Sequence, residues 1–138
     1  MAFAYTRTIH FPDTDAAGVV FFPRYLAICH EAYEEAIAAA GLDVARFFST
    51  ADGLILPIAK STADYLRPLH VGDKVRVTVT PSRLTTASFA LDFEMFKVDG
   101  AAEKVVARAR TEHVCITTAT REREPLPADL AAWIDGRQ

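Results

Sequence analysis

Residues 22–41 read FPRYLAICHEAYEEAIAAAG, and this stretch decides the fold because it carries the strongest helical pattern in the chain. Apolar residues recur every three or four positions, at Leu26, Cys29, Tyr33, Ala36, Ile37 and Ala40. The acidic residues lie mostly on the other side, at Glu31, Glu34 and Glu35. Pro23 suits a first helical turn, because its missing N–H needs no partner there, and Gly41 can end the helix. The pattern predicts one long helix from about Phe22 to Ala40.

The segments around this helix alternate apolar and polar residues as half-buried strands do. Strands are predicted at Phe3–Phe11, Leu54–Tyr65, Asp73–Thr80, Phe89–Met95 and Lys104–Thr118. Pro57 requires an edge or a bulge, a hairpin is expected around Pro81 to Thr86, and Asp99-Gly100 is a turn signal. Short helices are expected at Val44 to Ser49 and around Trp133. The order predicts an α+β fold, an antiparallel five-stranded sheet wrapped around one long helix. Its exposed edges predict an oligomer.

The composition describes one ordinary globular domain, residues 1–138, with 51% hydrophobic and 24% charged residues. The net charge of -3 and the scattered Lys and Arg residues give no reason to expect a nucleic-acid partner. The N-terminal MAFAYTRTIHF lacks the apolar core of a signal peptide, and no segment is apolar for long enough to span a membrane. We therefore expect a cytoplasmic protein. Cys29 and Cys115 are expected to be reduced, packed thiols.

The loop before the long helix, DTDAAGVVFF at 13–22, is the best candidate for chemistry. Unpaired N–H groups at a helix start can bind an anion or a carbonyl oxygen. A carboxylate beside them, from Asp13 or Asp15, could attack a carbonyl or deprotonate water. On spacing alone, the two residues could equally serve only as turn formers or helix caps.

Other catalytic motifs are not found in the sequence. His30 opens HEAYE, but the metalloprotease pattern needs a second His at position 34, which is Glu. Neither GxSxG nor a glycine-rich nucleotide motif is present. We therefore predict no metal, no cofactor and no nucleotide chemistry.

The motif Asp13, Asp15, Gly18, Val20, Phe22 and Tyr25 resembles the signature DxDxxGxVxFxxY of the 4-hydroxybenzoyl-CoA thioesterase family of hotdog proteins. The resemblance continues through GDKV at 72–75 and ARTEHVCI at 109–116, so it covers nearly the whole chain. Within that family the sequence is most similar to the 1,4-dihydroxy-2-naphthoyl-CoA hydrolases of phylloquinone biosynthesis, which share DTDxAGVVxF, CHEAYE and HVCI.

The resemblance implies a hotdog thioesterase domain that hydrolyses an aromatic acyl-CoA. It assigns catalysis to the Asp15 carboxylate, as nucleophile or general base, and to the backbone N–H of Phe22, which polarises the carbonyl. It assigns substrate binding to Gly18, Val20, Tyr25 and Arg83, with Arg83 on the CoA phosphates. Other basic candidates for the phosphates are Lys60, Arg67, Arg108 and Arg121. An apolar acyl pocket is expected near Phe21, Phe22, Tyr25 and Leu56.

The resemblance also implies a homo-oligomer, a dimer of dimers, with CoA bound at subunit interfaces. Two other functions stay open at this point. One is a general acyl-CoA thioesterase of the same family, and the other is a non-catalytic module that binds acyl-CoA.

Overall fold

The computed structural model describes residues 3–136, so residues 1–2 and 137–138 of the predicted domain lie outside the described residues. The helices are α1 (Phe22–Ala39), α2 (Val44–Phe47) and α3 (Ala128–Ile134), and a 3-10 turn covers Phe11–Asp13. The strands are β1 (Phe3–Thr8), β2 (Leu54–Ile55), β3 (Ile58–Tyr65), β4 (Lys74–Thr85), β5 (Ser88–Asp99), β6 (Ala102–Val114) and β7 (Ile116–Thr117).

Five strands form one antiparallel sheet in the order β1-β4-β5-β6-β3, and α1 packs on one of its faces. The predicted α+β arrangement is confirmed. The inward side chains are those that the alternation indicates: Val75, Val77 and Val79 from β4 and Phe89, Leu91, Phe93 and Met95 from β5 are all buried. Burying each such side chain stabilises the fold by roughly 1.5–3 kcal/mol. Helix α1 packs against β1, β4 and β6 of this sheet, which fixes the position of the helix.

Helix α1 begins at Phe22 and ends near Gly41, as predicted. At its C-terminal end, the Gly41 N–H donates to the carbonyl of Ala38, and the Leu42 N–H donates to the carbonyl of Ile37. This paired pattern requires a left-handed residue, and Gly41 has a φ of 84°. A glycine is therefore needed where the sequence has one.

Proline and turn positions account for the differences from the predicted strands. The predicted hairpin between β4 and β5 forms, but its turn lies at residues 86–87 and not at Pro81, because β4 continues to Thr85 and Pro81 pairs with Leu91. Proline is tolerated there since the described part of β1 pairs with β4 only as far as Val79. Pro57 divides the predicted Leu54–Tyr65 strand, so β2 pairs with β7 in a second small sheet while β3 forms the edge of the large one.

The N-terminal strand also ends earlier than predicted. It stops at Thr8, and Phe11 enters the 3-10 turn with 77% of its surface exposed. The turn forms because the Asp13 side chain accepts the N–H of His10. Phe11 therefore lies outside the core.

Both cysteines are free and buried. Burial raises the pKa of the Cys29 thiol to about 12, so this group stays a neutral packing residue. No helix within residues 3–136 combines the length and apolar character needed to cross a membrane.

Candidate active site

The loop between the 3-10 turn and α1 is a small hairpin. The Phe21 N–H donates to the carbonyl of Asp13 at 2.9 Å, and the Asp15 N–H donates to the carbonyl of Val19 at 3.0 Å. At the tip, the Gly18 N–H donates to the carbonyl of Asp15 at 2.9 Å, and Gly18 has a φ of 79°. These bonds fix the position of Asp15 relative to the start of α1.

The Asp15 side chain is exposed. Its Oδ1 accepts the N–H of Ala17 at 2.9 Å, which closes a turn of the kind that aspartate commonly forms. Within residues 3–136, Oδ2 accepts no hydrogen bond. One carboxylate oxygen thus fixes the rotamer, and the other is available to a ligand.

Among residues 3–136, the start of α1 has one backbone donor without a partner. The Phe21 N–H is used by Asp13, Pro23 has no N–H, and the Arg24 N–H donates to the carbonyl of Phe21 at 2.8 Å. The Phe22 N–H has no acceptor among the described residues. It lies at the positive end of the α1 dipole, where partial negative charge is stabilised.

Asp13 lies beneath this hairpin with only 2% of its surface exposed. Its Oδ2 accepts from Nη2 of Arg7 at 2.6 Å and from the N–H of His10 at 2.9 Å. Its Oδ1 accepts from Arg24, from Nη2 at 2.6 Å and Nε at 3.2 Å. One carboxylate therefore joins β1, the 3-10 turn and the first turn of α1.

The same contacts set the ionisation of Asp13. Burial opposes the charged form, but the His10 N–H and the guanidinium groups of Arg24 and Arg7 outweigh it and hold the pKa of Asp13 below its usual value. Arg7 also lies 3.4 Å from Glu31 on α1. We name Arg7, Asp13 and Arg24 the anchor cluster.

Sequence reasoning missed the two arginines of the anchor cluster. Arg7 interrupts the apolar side of β1, and an arginine facing inward on a half-buried strand indicates a buried acid nearby. That signal is present in the sequence. Arg24 gives no comparable signal, because an arginine in the first turn of a helix is usually solvated.

Two of the predicted binding residues, Val20 and Tyr25, lie under the loop. Both are 4% exposed, and both belong to the hydrophobic core. The Val20 N–H donates to the carbonyl of Leu69 at 2.9 Å, which holds the loop against the segment between β3 and β4. Their side chains support the helix start, and their predicted contact with a substrate stays a prediction.

Exposed aromatic rings flank the helix start. Phe21 and Phe22 are 46% and 61% exposed, and their ring centroids are 5.4 Å apart. Tyr65, at the end of β3, has its ring 6.2 Å from Phe22 and 5.0 Å from Tyr25. The free N–H of Phe22 therefore lies in an apolar surface that can contact an organic ligand.

Arg83 is not brought together with these residues within one chain. The segment that leads into this loop meets the sheet beside Lys74 of β4, where the Ile9 N–H donates to the carbonyl of Asp73. Arg83 is nine residues further along β4, roughly 30 Å away at 3.3 Å per residue. It forms an ion pair with Asp135 at 2.9 Å. A shared site would need Arg83 from another subunit.

Metal binding finds no support in the described residues. Within residues 3–136 no three His, Cys, Asp or Glu side chains are grouped to hold a metal ion. His30 instead contacts Glu34 at 2.7 Å through Nδ1, an ordinary pair one helical turn apart.

Known proteins resemble this chain over most of its length. The model of the Thioesterase-like superfamily matches residues 9–134. The 1,4-dihydroxy-2-naphthoyl-CoA hydrolase of Thermosynechococcus vestitus is 47% identical over 130 residues, which are 94% of this chain and 86% of that protein. The hydrolase of the same name from Nostoc punctiforme is 42% identical over 135 residues, 98% of this chain and 88% of that protein. The crystal structure of a 1,4-dihydroxy-2-naphthoyl-CoA thioesterase from Synechocystis, 34% identical, superposes with a TM-score of 0.90 and covers 98% of this chain and 96% of that one.

Proposed function

This chain belongs to the Thioesterase-like superfamily, and on that premise we propose that it hydrolyses 1,4-dihydroxy-2-naphthoyl-CoA to 1,4-dihydroxy-2-naphthoate and CoA, within phylloquinone biosynthesis. The thioester hydrolase class follows from the family and from relatives at 40–47% identity. One observation carries the mechanism. A single hairpin positions two groups that have no partner among the described residues, the Oδ2 of Asp15 and the N–H of Phe22.

In the proposed reaction the thioester carbonyl oxygen accepts a hydrogen bond from the Phe22 N–H. As the carbonyl carbon becomes tetrahedral, its oxygen gains negative charge, which the N–H and the α1 dipole stabilise. One preorganised donor of this kind is typically worth roughly 3 kcal/mol of barrier. The Asp15 carboxylate approaches the same carbon from the loop.

Two routes use this geometry. As a nucleophile, Asp15 bonds to the acyl carbon while the carbon–sulfur bond breaks, and water then hydrolyses the resulting anhydride. As a general base, Asp15 takes a proton from the water that attacks the carbon. Both routes end with the carboxylic acid product and CoA.

The leaving group explains why so small a site suffices. A cysteine thiol has a pKa of about 8.5, far below that of an alcohol, and the alkyl thiol of CoA is of the same kind, so it departs as a thiolate without a proton from an acid. A carboxylate and one N–H donor therefore cover the demands of thioester hydrolysis. The buried thiols of Cys29 and Cys115 have no part in it.

We further propose that the active form is a homotetramer, a dimer of dimers. Strand β3 is an edge of the large sheet, and Ile58 and Tyr65 at its two ends are 47% and 45% exposed. An edge strand with exposed apolar residues is a ready surface for a second copy. Such pairing is also what Arg83 needs to reach the CoA phosphates of a neighbouring site. Sedimentation should then give four times the 15.1 kDa chain mass.

The experiment that tests the function is a panel of thioesters. We expect kcat/KM to be higher for 1,4-dihydroxy-2-naphthoyl-CoA than for benzoyl-CoA or a short aliphatic acyl-CoA. Faster turnover of the short aliphatic thioester would indicate a general acyl-CoA thioesterase. Binding of all three without turnover would indicate a non-catalytic module.

A further inference from the structure

A cavity of about 320 Å³ lies between α1, α2 and the start of β3. A neighbouring cavity of about 90 Å³ shares four lining residues with it, namely His30, Tyr33, Ile58 and His113, and reaches Leu26. The larger volume falls in the usual range of small-molecule pockets, roughly 300–1,000 Å³.

Aromatic rings dominate the wall of the larger cavity. Tyr33 is central, with its ring centroid 5.4 Å from His30, 5.4 Å from Phe48 and 5.3 Å from His113. His113 in turn stacks on Phe89 at 4.7 Å with an interplanar angle of 8°. A flat aromatic ligand has ring surfaces to contact on several sides.

The hydroxyl of Tyr33 is the unusual group in this wall. The side chain is 2% exposed, and within residues 3–136 its hydroxyl has no hydrogen-bond partner. Buried hydroxyls are almost always paired, because leaving one unpaired costs free energy. The neighbouring polar group is already satisfied, since His113 Nε2 lies 2.8 Å from the hydroxyl of Thr111. Among the described residues, the Tyr33 hydroxyl is the buried side-chain polar group that lacks a partner, and it can bond a polar atom of a ligand.

The cavities lie along the same face of α1 as the proposed reaction centre. Phe22, Leu26, His30 and Tyr33 follow each other at spacings of three and four residues, so they share one face. At 1.5 Å per residue, Leu26 is about 6 Å along the helix from Phe22, and Tyr33 is about 16 Å along it. Helical side chains lean toward the N-terminus, which shortens the distance from the Tyr33 hydroxyl to the carbonyl position.

Resting on the proposed function, we propose that these cavities bind the aromatic acyl group and that the Tyr33 hydroxyl hydrogen-bonds the ring hydroxyl farthest from the thioester. In 1,4-dihydroxy-2-naphthoyl-CoA this is the 4-hydroxyl, because the 1-hydroxyl is on the ring carbon next to the one that carries the thioester. Tyr33 is then a residue that determines specificity, since it selects acyl groups with a hydroxyl meta to the thioester.

The test compares Tyr33→Phe with wild type on two thioesters, 1,4-dihydroxy-2-naphthoyl-CoA and 1-hydroxy-2-naphthoyl-CoA, which lacks the 4-hydroxyl. We expect kcat/KM to fall about 10-fold on the first and to stay within about twofold on the second. Tyr5→Phe is the matched control, because it removes a hydroxyl that is paired with Glu31, on β1 and away from the cavity. That variant should leave the preference between the two thioesters unchanged.

Equal losses on both thioesters, or no loss on either, would overturn the role of Tyr33. Thermal unfolding checks that Tyr33→Phe is folded. Its Tm should equal that of wild type, because the substitution removes only an unpaired hydroxyl. Calorimetric binding of the two free acids separates this inference from the proposed function. If wild type hydrolysed neither thioester, the proposed function would be wrong, and the pocket would be judged on whether Tyr33→Phe removes the preference for the dihydroxy acid.

Discussion

Arg24 donates two hydrogen bonds to Oδ1 of Asp13, from Nη2 at 2.6 Å and from Nε at 3.2 Å. Arg24 belongs to the first turn of α1, and Asp13 opens the loop that carries Asp15. The pair therefore couples the helix start to the loop, and the distance between Asp15 and the Phe22 N–H depends on it.

Replacing Arg24 by Met should keep the apolar stem and remove this coupling. We expect kcat to fall by roughly 10-fold or more, because small displacements of reacting groups are costly, with KM changed less. Steady-state kinetics measure both constants. Arg76→Met is the matched control, since Arg76 is also ion-paired, to Glu103, but on the sheet. If Arg24→Met and Arg76→Met behaved alike, the anchor cluster would have no role in positioning.

Asp15→Asn should lower kcat by about 10³-fold, because the amide is neither a nucleophile nor a base at neutral pH. The residue is exposed, so the fold should be unaffected. Acyl-CoA binding, measured by calorimetry, should persist. Asp92→Asn, which removes an exposed carboxylate paired with Arg110, should retain wild-type kcat. Residual activity above a tenth of wild type in Asp15→Asn would rule out the proposed mechanism.

Gly18→Ala should lower stability and activity together. A left-handed alanine costs about 1 kcal/mol, and the φ of 79° at Gly18 sets the hairpin tip beside Asp15. Gly53→Ala carries a similar penalty, at a φ of 71°, in a turn before β2. Both variants should lose similar stability in urea unfolding, and only Gly18→Ala should lose kcat. Equal activity in the two variants would show that the tip conformation does not affect the reaction.

His113 should make the protein less stable in mild acid. Burial lowers the pKa of His113 to about 4 from 6.5, so between these values the unfolded chain binds more protons than the folded one. This histidine should therefore remove about 2 kcal/mol of stability between pH 7 and pH 4.5. Urea unfolding at both pH values measures the change. His113→Gln should lose this part of the pH dependence, and an unchanged slope would show that His113 is not its source.

The long helix and the central strands could be predicted because burial imposes a period on their sequences. Tyr33 and Ile37 recur with the helix, and Val77 alternates with its exposed neighbours. Pro81 was misread as a turn, because a proline's place in a sheet depends on whether a neighbouring strand needs its N–H. That neighbour is β1, which is more than 70 residues away in sequence.

The candidate active site also has a part that the sequence predicts and a part that it does not. Asp15 and Phe22 could be named from a motif, because the motif is local. The ion pairs of Asp13 with Arg7 and Arg24 join separate elements. The alternation in β1 marks Arg7 as facing inward, but no spacing in the sequence identifies Asp13 as its partner or indicates the pair with Arg24. The unpaired hydroxyl of Tyr33 is equally invisible in the sequence, where Tyr33 is one more apolar position on a helix.

Pro23 has an effect on ligand choice that follows from the donors at the start of α1. A helix N-terminus that binds a phosphate group uses several backbone N–H groups, which donate to different oxygens of that phosphate. Within the described part of the chain, Phe22 is the one residue of this helix start with a free N–H, because Pro23 has none and the Arg24 N–H is bonded to the carbonyl of Phe21. Such a start can recognise a single oxygen atom and discriminates against polyanions. A CoA thioester carries both kinds of group, so this arrangement favours the orientation in which its carbonyl, and not its pyrophosphate, meets Asp15.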